Sequence, residues 1–258
     1  MNVELNIALI QIPLEWEEPN LNRTLIQNKI EALKVDTDVV VLPEMFTTGF
    51  TMNPSSISVI EGNKTIAWMQ RVAYENNVAI VGSIVFSELN KNYNRLFFVT
   101  PNREFWYYNK KHTFTLAGEN KVYESGKDRL IINYKGFRFC PLICYDLRFP
   151  VWARNTENYD LLIYVANWPK PRVLAWDSLL KARAIENMAY CIGVNRIGTD
   201  NSGHQYSGHS AVYDCLGKTL AFSDKEEVLY ATLSKTHLEK TRNKLKFLED
   251  RDAFNLIQ

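Results

Sequence analysis

Cysteine and histidine are both scarce in this chain, with four of each among 258 residues. Cys140, Cys144, Cys191 and Cys215 form no C-x-x-C pair, and His112, His204, His209 and His237 make neither an H-E-x-x-H nor a zinc spacing with them. A metal framework and a disulfide scaffold are therefore excluded, and four free thiols in a reducing compartment are expected. Charge of one sign is lacking as well. Thirty Lys and Arg stand against 29 Asp and Glu, net +1, which supplies no long-range field for nucleic acid or an anionic membrane. No apolar run approaches the ~18 residues of a membrane span; the best, LLIYVA at residues 161–166, has the length of a buried strand. Glu4 stands where an export signal would carry basic residues, so the expected compartment is the cytoplasm. There is no G-x-S-x-G elbow and no phosphate-binding glycine loop. No Pro/Gly/Ser linker, charge block or internal repeat divides the chain, and residues 1–258 read as one domain.

What the chain does have is core material: 46% hydrophobic residues and 12% aromatic, ample for a large folded interior. Short runs rich in Val and Ile, NIALIQI, DVVVLP and NVAIVGSIVF, alternate with helical segments in βαβ fashion. Residues 19–33 place Leu21, Leu25, Ile26, Ile30 and Leu33 on one helical face, and residues 63–75 do the same with Ile66, Met69 and Val72. A strand-rich middle follows, at residues 95–100, 104–108, 130–134 and 138–143, with antiparallel neighbours expected there. Further strands are expected at 161–165, 191–197, 210–213 and 228–233, a long helix at 173–188 and a basic helix at 237–247. Strands that bury both faces, flanked by amphipathic helices, imply sheet layers covered outside by helices.

Three strand exits end in reactive side chains. VVVLPE presents Glu44, EFWYYNKKH presents Lys110 and Lys111, and FCPLICYD presents Cys144. Alone, each has an ordinary structural reading: a solvated loop carboxylate, a surface lysine, a buried small thiol. Together they are the groups an acyl-transfer nucleophile needs. A thiol of pKa ~8.5 is only a few per cent thiolate at neutral pH, so a base and a nearby cation both help. At an effective dielectric of ~20, a unit-charge contact at ~4 Å is worth on the order of 4 kcal/mol, enough to move a thiol or carboxylate pKa by about two units.

The motifs LPEMFTTGF around Glu44, YNKKHTFTLAGE around Lys110 and Glu119, and ICYDLRFP around Cys144 resemble the nitrilase superfamily of carbon-nitrogen hydrolases. The resemblance spans almost the whole chain. It implies a Glu, Lys, Cys triad, and the K-x-H spacing selects Lys110 over Lys111. Glu119 matches a second glutamate that assists the triad. The amide N–H of Tyr145, directly after the nucleophile, would join Lys110 in stabilising an oxyanion. His112 is expected to hold its loop by hydrogen bonds, and Cys140 to be a core thiol. The implied fold is an α/β four-layer αββα sandwich, paired as a homodimer through the face bearing the helix after the nucleophile.

Three longer stretches, VANWPKPR, KARAIENMAYCIGVNRIG and FLEDRDAF, are similar to the omega-amidase branch, which hydrolyses the terminal amide of 2-oxo-acid monoamides without a cofactor. Such a substrate ends in a carboxylate, and Arg172 in WPKPR is the candidate anchor because a guanidinium binds carboxylates bidentately. Trp168 and Phe46 are candidate pocket walls, and Arg148 is expected to pair with a local acid such as Asp146. The expected partners are thus a small-molecule amide and water. The competing expectations are another carbon-nitrogen hydrolase, a nitrilase or carbamoylase, and a catalytically idle binding protein of the same fold. Ammonia release from a panel of substrates separates the first two, and a covalent adduct at Cys144 separates the third.

Overall fold

The computed structural model describes residues 3–33 and 36–256. In chain order the elements are β1 (Glu4–Gln11), α1 (Pro19–Glu31), β2 (Val39–Val41), α2 (Glu61–Asn76), β3 (Ala79–Glu88), β4 (Lys91–Val99) and β5 (Phe105–Asn109). There follow β6 (Ile132–Tyr134), β7 (Phe137–Ile143), the short α3 (Pro150–Ala153), β8 (Leu161–Ala166), α4 (Val173–Glu186) and β9 (Tyr190–Asn195). The hairpin β10 (Ile197–Thr199) and β11 (Gln205–Ser207), then β12 (Ser210–Tyr213), β13 (Thr219–Ser223), β14 (Glu227–Ser234) and α5 (Lys235–Leu245), complete the chain.

Two six-stranded sheets form, ordered β14-β1-β2-β3-β4-β5 and β13-β12-β9-β8-β7-β6. Each is parallel at its centre, β1 with β2 and β3 in one and β7 with β8 and β9 in the other, and antiparallel toward its edges. Strand residues alternate between faces, and that alternation sorts the core. Leu5, Ile7, Leu9, Val39, Val41, Val81 and Phe98 of the first sheet share an interior with Phe139 and its neighbours in the second. Phe98 and Phe139 meet edge to face there, 5.1 Å between centroids. The opposite parity of the first sheet, Ala8, Ile10, Val40 and Ile80, packs under Ile26 and Ile30 of α1 and Ile66, Met69 and Val72 of α2. On the far side α4 presses so close that a Cβ at Gly193 would lie 2.3 Å from Leu180 and 2.7 Å from Trp176. The result is the αββα sandwich, each fully buried aliphatic side chain contributing about 1.5–3 kcal/mol.

The face expected for α1 is corrected in part. Leu21 and Leu25 are exposed, at 47% and 36%, while Asn22 and Arg23 are buried. Directed polar bonds set the rotation of this helix. The Asn22 amide donates to the carbonyls of Glu15 (2.7 Å) and Thr47 (2.8 Å), and Arg23 pairs with Glu61 and donates to Thr65 of α2 at 2.8 Å. Strands β11 and β13 were not expected: β11 is three residues long, and β13 is a five-residue edge whose Leu220 and Phe222 are exposed. No helix among the described residues is long and apolar enough to cross a membrane.

Candidate active site

Glu44 follows β2 on a loop stapled to β3. The amides of Met45 and Phe46 donate to the Ser83 hydroxyl (2.9 Å) and carbonyl (3.0 Å), and Met45 takes a left-handed φ of +45° to turn the chain. Lys110 lies one residue past β5, its amide bonded to the Asn94 carbonyl at 3.0 Å and its carbonyl to the Gly126 amide at 2.8 Å. Only glycine fits at 126, where a Cβ would sit 2.1 Å from the Asn109 carbonyl oxygen. Glu119 opens a single 3-10 turn, Glu119–Lys121. Cys144 ends β7 and opens another, Cys144–Arg148, with φ at +44°, a strained conformation for a residue with a Cβ.

Asp146 holds that strained turn in place. One carboxylate oxygen accepts from the Ile143 amide (3.0 Å) and the Tyr108 hydroxyl (2.8 Å), and the other from the amide (2.9 Å) and Nδ1 (2.8 Å) of His112. The His112 ring also stacks on Phe149 at 3.7 Å. His112 therefore holds its loop as expected, but the partner foreseen for Arg148 is corrected: Asp146 is filled by other donors, and the Arg148 guanidinium lies 5.0 Å over the Trp168 ring.

The four expected groups come together. Lys110 Nζ is 2.8 Å from Glu44 Oε1 and 2.9 Å from Glu119 Oε2, with all three side chains essentially inaccessible to solvent. Asn94 Nδ2 donates to Glu44 Oε1 (2.8 Å) and Glu119 Oε1 (3.1 Å), the Asn167 amide donates to Glu44 Oε2 (2.9 Å), and the Phe114 amide donates to Glu119 Oε2 (2.5 Å). Cys144 lies near enough for the charges of Glu44 and Lys110 to act on its thiol. Burial pushes that thiol well above its ordinary pKa, the Glu44 charge pushes it further, and Lys110 offsets part of the rise. Burial works against the Lys110 ammonium, yet the Glu119 and Glu44 carboxylates outweigh it and hold its pKa above that of an ordinary lysine. Burial raises Glu119, with Lys110 opposing. A neutral thiol beside a carboxylate and a firmly protonated lysine is an arrangement in which deprotonation can accompany attack rather than precede it.

Lys110 and Cys144 line a cavity of about 370 Å³, walled by Phe50, Phe114, Trp168 and Tyr206, with Arg148 and Arg172 also on its lining. Arg172 lies 5.2 Å over the Phe114 ring, and its carbonyl accepts from Trp168 Nε1 at 2.7 Å. Neither guanidinium has an ion pair among the described residues; Arg172 is half-buried and Arg148 is exposed. Tyr145 lines the cavity beside Cys144, its ring packed on Phe114 and Phe149. Phe46 is corrected: it is wholly buried under α2, 6.0 Å from Trp68, and the aromatic wall belongs to Phe50 four residues later. Phe46 packs with Val40 and Leu42 in the layer under α1 and α2. Lys111 points elsewhere, 5.3 Å over the Trp152 ring. Cys140 is buried in the core, its thiol pushed up to about 12 by burial. Sequence reasoning missed Asn94, Asn167, Phe50 and Tyr206. The first sits in the polar half of β4, between Tyr93 and Arg95 and two residues after Asn92, so nothing in the strand's sequence sets it apart.

Comparison with known proteins agrees with this geometry. Residues 6–243 match the carbon-nitrogen hydrolase family model. The chain is 41% identical to Omega-amidase YafV of Escherichia coli strain K12, over 98% of both chains. It is 32% identical to 2-oxoglutaramate amidase of Bacillus subtilis, over 86% of this chain and 87% of that one. Its fold superposes with a TM-score of 0.95 on XC1258 of Xanthomonas campestris, a CN-hydrolase superfamily protein crystallised with an arsenic adduct in its active site, at 38% identity and covering 98% and 99% of the two chains. A buried carboxylate, ammonium and thiol at the end of an αββα sandwich, carried on a sequence this close to its relatives, leave one assignment: the chain belongs to the carbon-nitrogen hydrolase family, in the omega-amidase branch of the nitrilase superfamily, and is an amide-hydrolysing enzyme.

Proposed function

We propose that the enzyme hydrolyses the terminal amide of 2-oxo-acid monoamides such as 2-oxoglutaramate and 2-oxosuccinamate, releasing ammonia and the 2-oxo dicarboxylate. The carrying observation is a thiol facing a carboxylate and an ammonium in a cavity that also holds two guanidiniums without acidic partners. A neutral amide offers such guanidiniums only an uncharged carbonyl oxygen; a substrate carboxylate accepts from them bidentately and with opposite charge. The names of the relatives in Escherichia coli and Bacillus subtilis support the same substrate class.

The chemistry follows from the arrangement. Cys144 Sγ attacks the amide carbon while its proton passes to Glu44, and the oxyanion that forms is met by the Lys110 ammonium and the Tyr145 amide. Collapse breaks the C–N bond; the nitrogen takes the proton from Glu44 and leaves as ammonia, and the acyl group remains on sulfur as a thioester. Water then attacks the thioester, giving a proton to Glu44, and expulsion of the thiolate with return of that proton restores the thiol. Glu119 keeps Lys110 aimed at the oxyanion. Arg172 binds the distal carboxylate, and Arg148 stands ready on the same lining.

We further take the working form to be a cytoplasmic homodimer. Four free, buried thiols suit a reducing compartment, and Val151, Leu174 and Ile185 expose apolar surface on the helix layer after the nucleophile. The deciding experiment offers 2-oxoglutaramate, a neutral short-chain amide, a nitrile and an N-carbamoyl amino acid, and measures ammonia. Preference for 2-oxoglutaramate supports the proposal; preference for the nitrile or carbamoyl compound selects the alternative hydrolases, and no turnover of any with no adduct at Cys144 selects an idle binding protein.

A further inference from the structure

Lys110 is not the only donor shared by the two glutamates. The carboxamide of Asn94, on β4 and 1% exposed, aims one N–H at Glu44 Oε1 (2.8 Å) and the other at Glu119 Oε1 (3.1 Å). Its Oδ1 has no partner among the described residues, so the side chain forgoes one hydrogen bond to make these two. The amide cannot be turned over, because its oxygen would then face two carboxylate oxygens. An asparagine carries two N–H bonds on one atom, which is the number needed to bridge two acceptors; serine or threonine carries one and leucine none.

We propose that Asn94 is a positioning residue that ties Glu44 and Glu119 into one carboxylate pair around Lys110 and fixes Glu44 in the orientation in which it takes the Cys144 proton. The role in amide turnover rests on the amidase reading of the site; the geometry of proton acceptance does not. The groups facing Glu44 are Lys110 beyond β5, Glu119 on its 3-10 turn, Cys144 beyond β7 and Tyr123, with the neutral Asn167 amide beyond β8. Lys110 is the cation among these and is divided between two carboxylates; of the neutral side-chain donors Asn94 is the close one, at 2.8 Å on Oε1, while Asn167 Nδ2 reaches Oε2 at 3.5 Å. Hydrogen bonds to a carboxylate favour its charged form, so removing the Asn94 donors disfavours the charged form of the carboxylate pair they bridge. The backbone carbonyl of Asn94 holds the Lys110 amide independently, so changes to the side chain leave the lysine anchored.

The test compares wild type with Asn94→Leu, which keeps the volume and removes both donors, and Asn94→Ser, which keeps one. In Asn94→Leu the acid limb of the kcat/KM profile for 2-oxoglutaramate is expected to move up by about one pH unit, with kcat at pH 7 down about 10-fold or more and KM within about threefold. Asn94→Ser is expected between the two. If Asn94→Leu does not fold, as read by circular dichroism, the serine variant decides by the same limb. Alkylation of Cys144 by iodoacetamide across pH, followed by mass spectrometry, reads proton acceptance without amide hydrolysis. An unmoved acid limb in folded variants by both readouts overturns the role of Asn94. A wild-type enzyme that releases no ammonia from any amide, while the alkylation limb still moves in the variants, overturns the amidase reading and leaves Asn94 standing.

Discussion

His112 and Asp146 meet twice at one oxygen: the backbone amide and the ring Nδ1 of His112 both reach Asp146 Oδ1, at 2.9 and 2.8 Å. Because Asp146 also holds the Ile143 amide, this contact welds the loop carrying Lys110 to the turn carrying Cys144. Asp146→Asn halves the acceptor capacity of that weld. A loss of about 2–3 kcal/mol in unfolding free energy by denaturant titration is expected, and about a 10-fold fall in kcat. Unchanged values of both would show that the two loops hold their positions without it.

Cys144→Ala is expected to abolish ammonia release while the protein stays folded, since the change removes one sulfur atom from a strand exit. Cys144→Ser is expected to be poor as well, because a hydroxyl ionises far less readily beside the same groups. Turnover by Cys144→Ala above about 1% of wild type would remove the thiol from the mechanism.

Burial and the Glu44 charge both hold the Cys144 thiol above its ordinary range. A raised thiol pKa means the protonated form persists as pH climbs. Titration of thiolate absorbance, wild type minus Cys144→Ala, is therefore expected to show no step below about pH 8.5. A step near pH 6 would mean that the resting enzyme already holds a thiolate.

Lys110→Ala is expected to cost at least about 100-fold in kcat, and Lys111→Ala less than about threefold. The neighbour serves as the control, since its ammonium sits over the Trp152 ring instead of between the glutamates. Equal effects would detach Lys110 from the chemistry.

Arg172→Met keeps much of the stem and removes the charge. It is expected to lower kcat/KM for 2-oxoglutaramate by about 10- to 100-fold, chiefly through KM, and to leave a neutral short-chain amide nearly unaffected. Equal losses on both substrates would point to loop damage, because Trp168 is tied to the Arg172 carbonyl.

The long helices and the buried strands were legible in the sequence because each rests on a local 3.6- or 2-residue period, while Glu44, Lys110, Glu119 and Cys144 were picked out together through motifs that resemble a known family. Arg172 and Trp168 were legible as members of one stiff proline-bearing loop, and the structure puts both on the cavity lining. What the sequence could not hold is partner choice across distance. Asp146 takes donors from residues 34 and 38 positions away instead of Arg148, two positions on. Phe46 and Phe50 stand four residues apart on one loop, yet the first goes under a helix and the second into the cavity, a matter of how the left-handed turn at Met45 aims the chain. Asn94 reaches Glu44 across 50 positions only after β4 has paired between β3 and β5. Hydrogen bonds are directional and short, so which donors meet which carboxylates is fixed when two sheets stack, and not before.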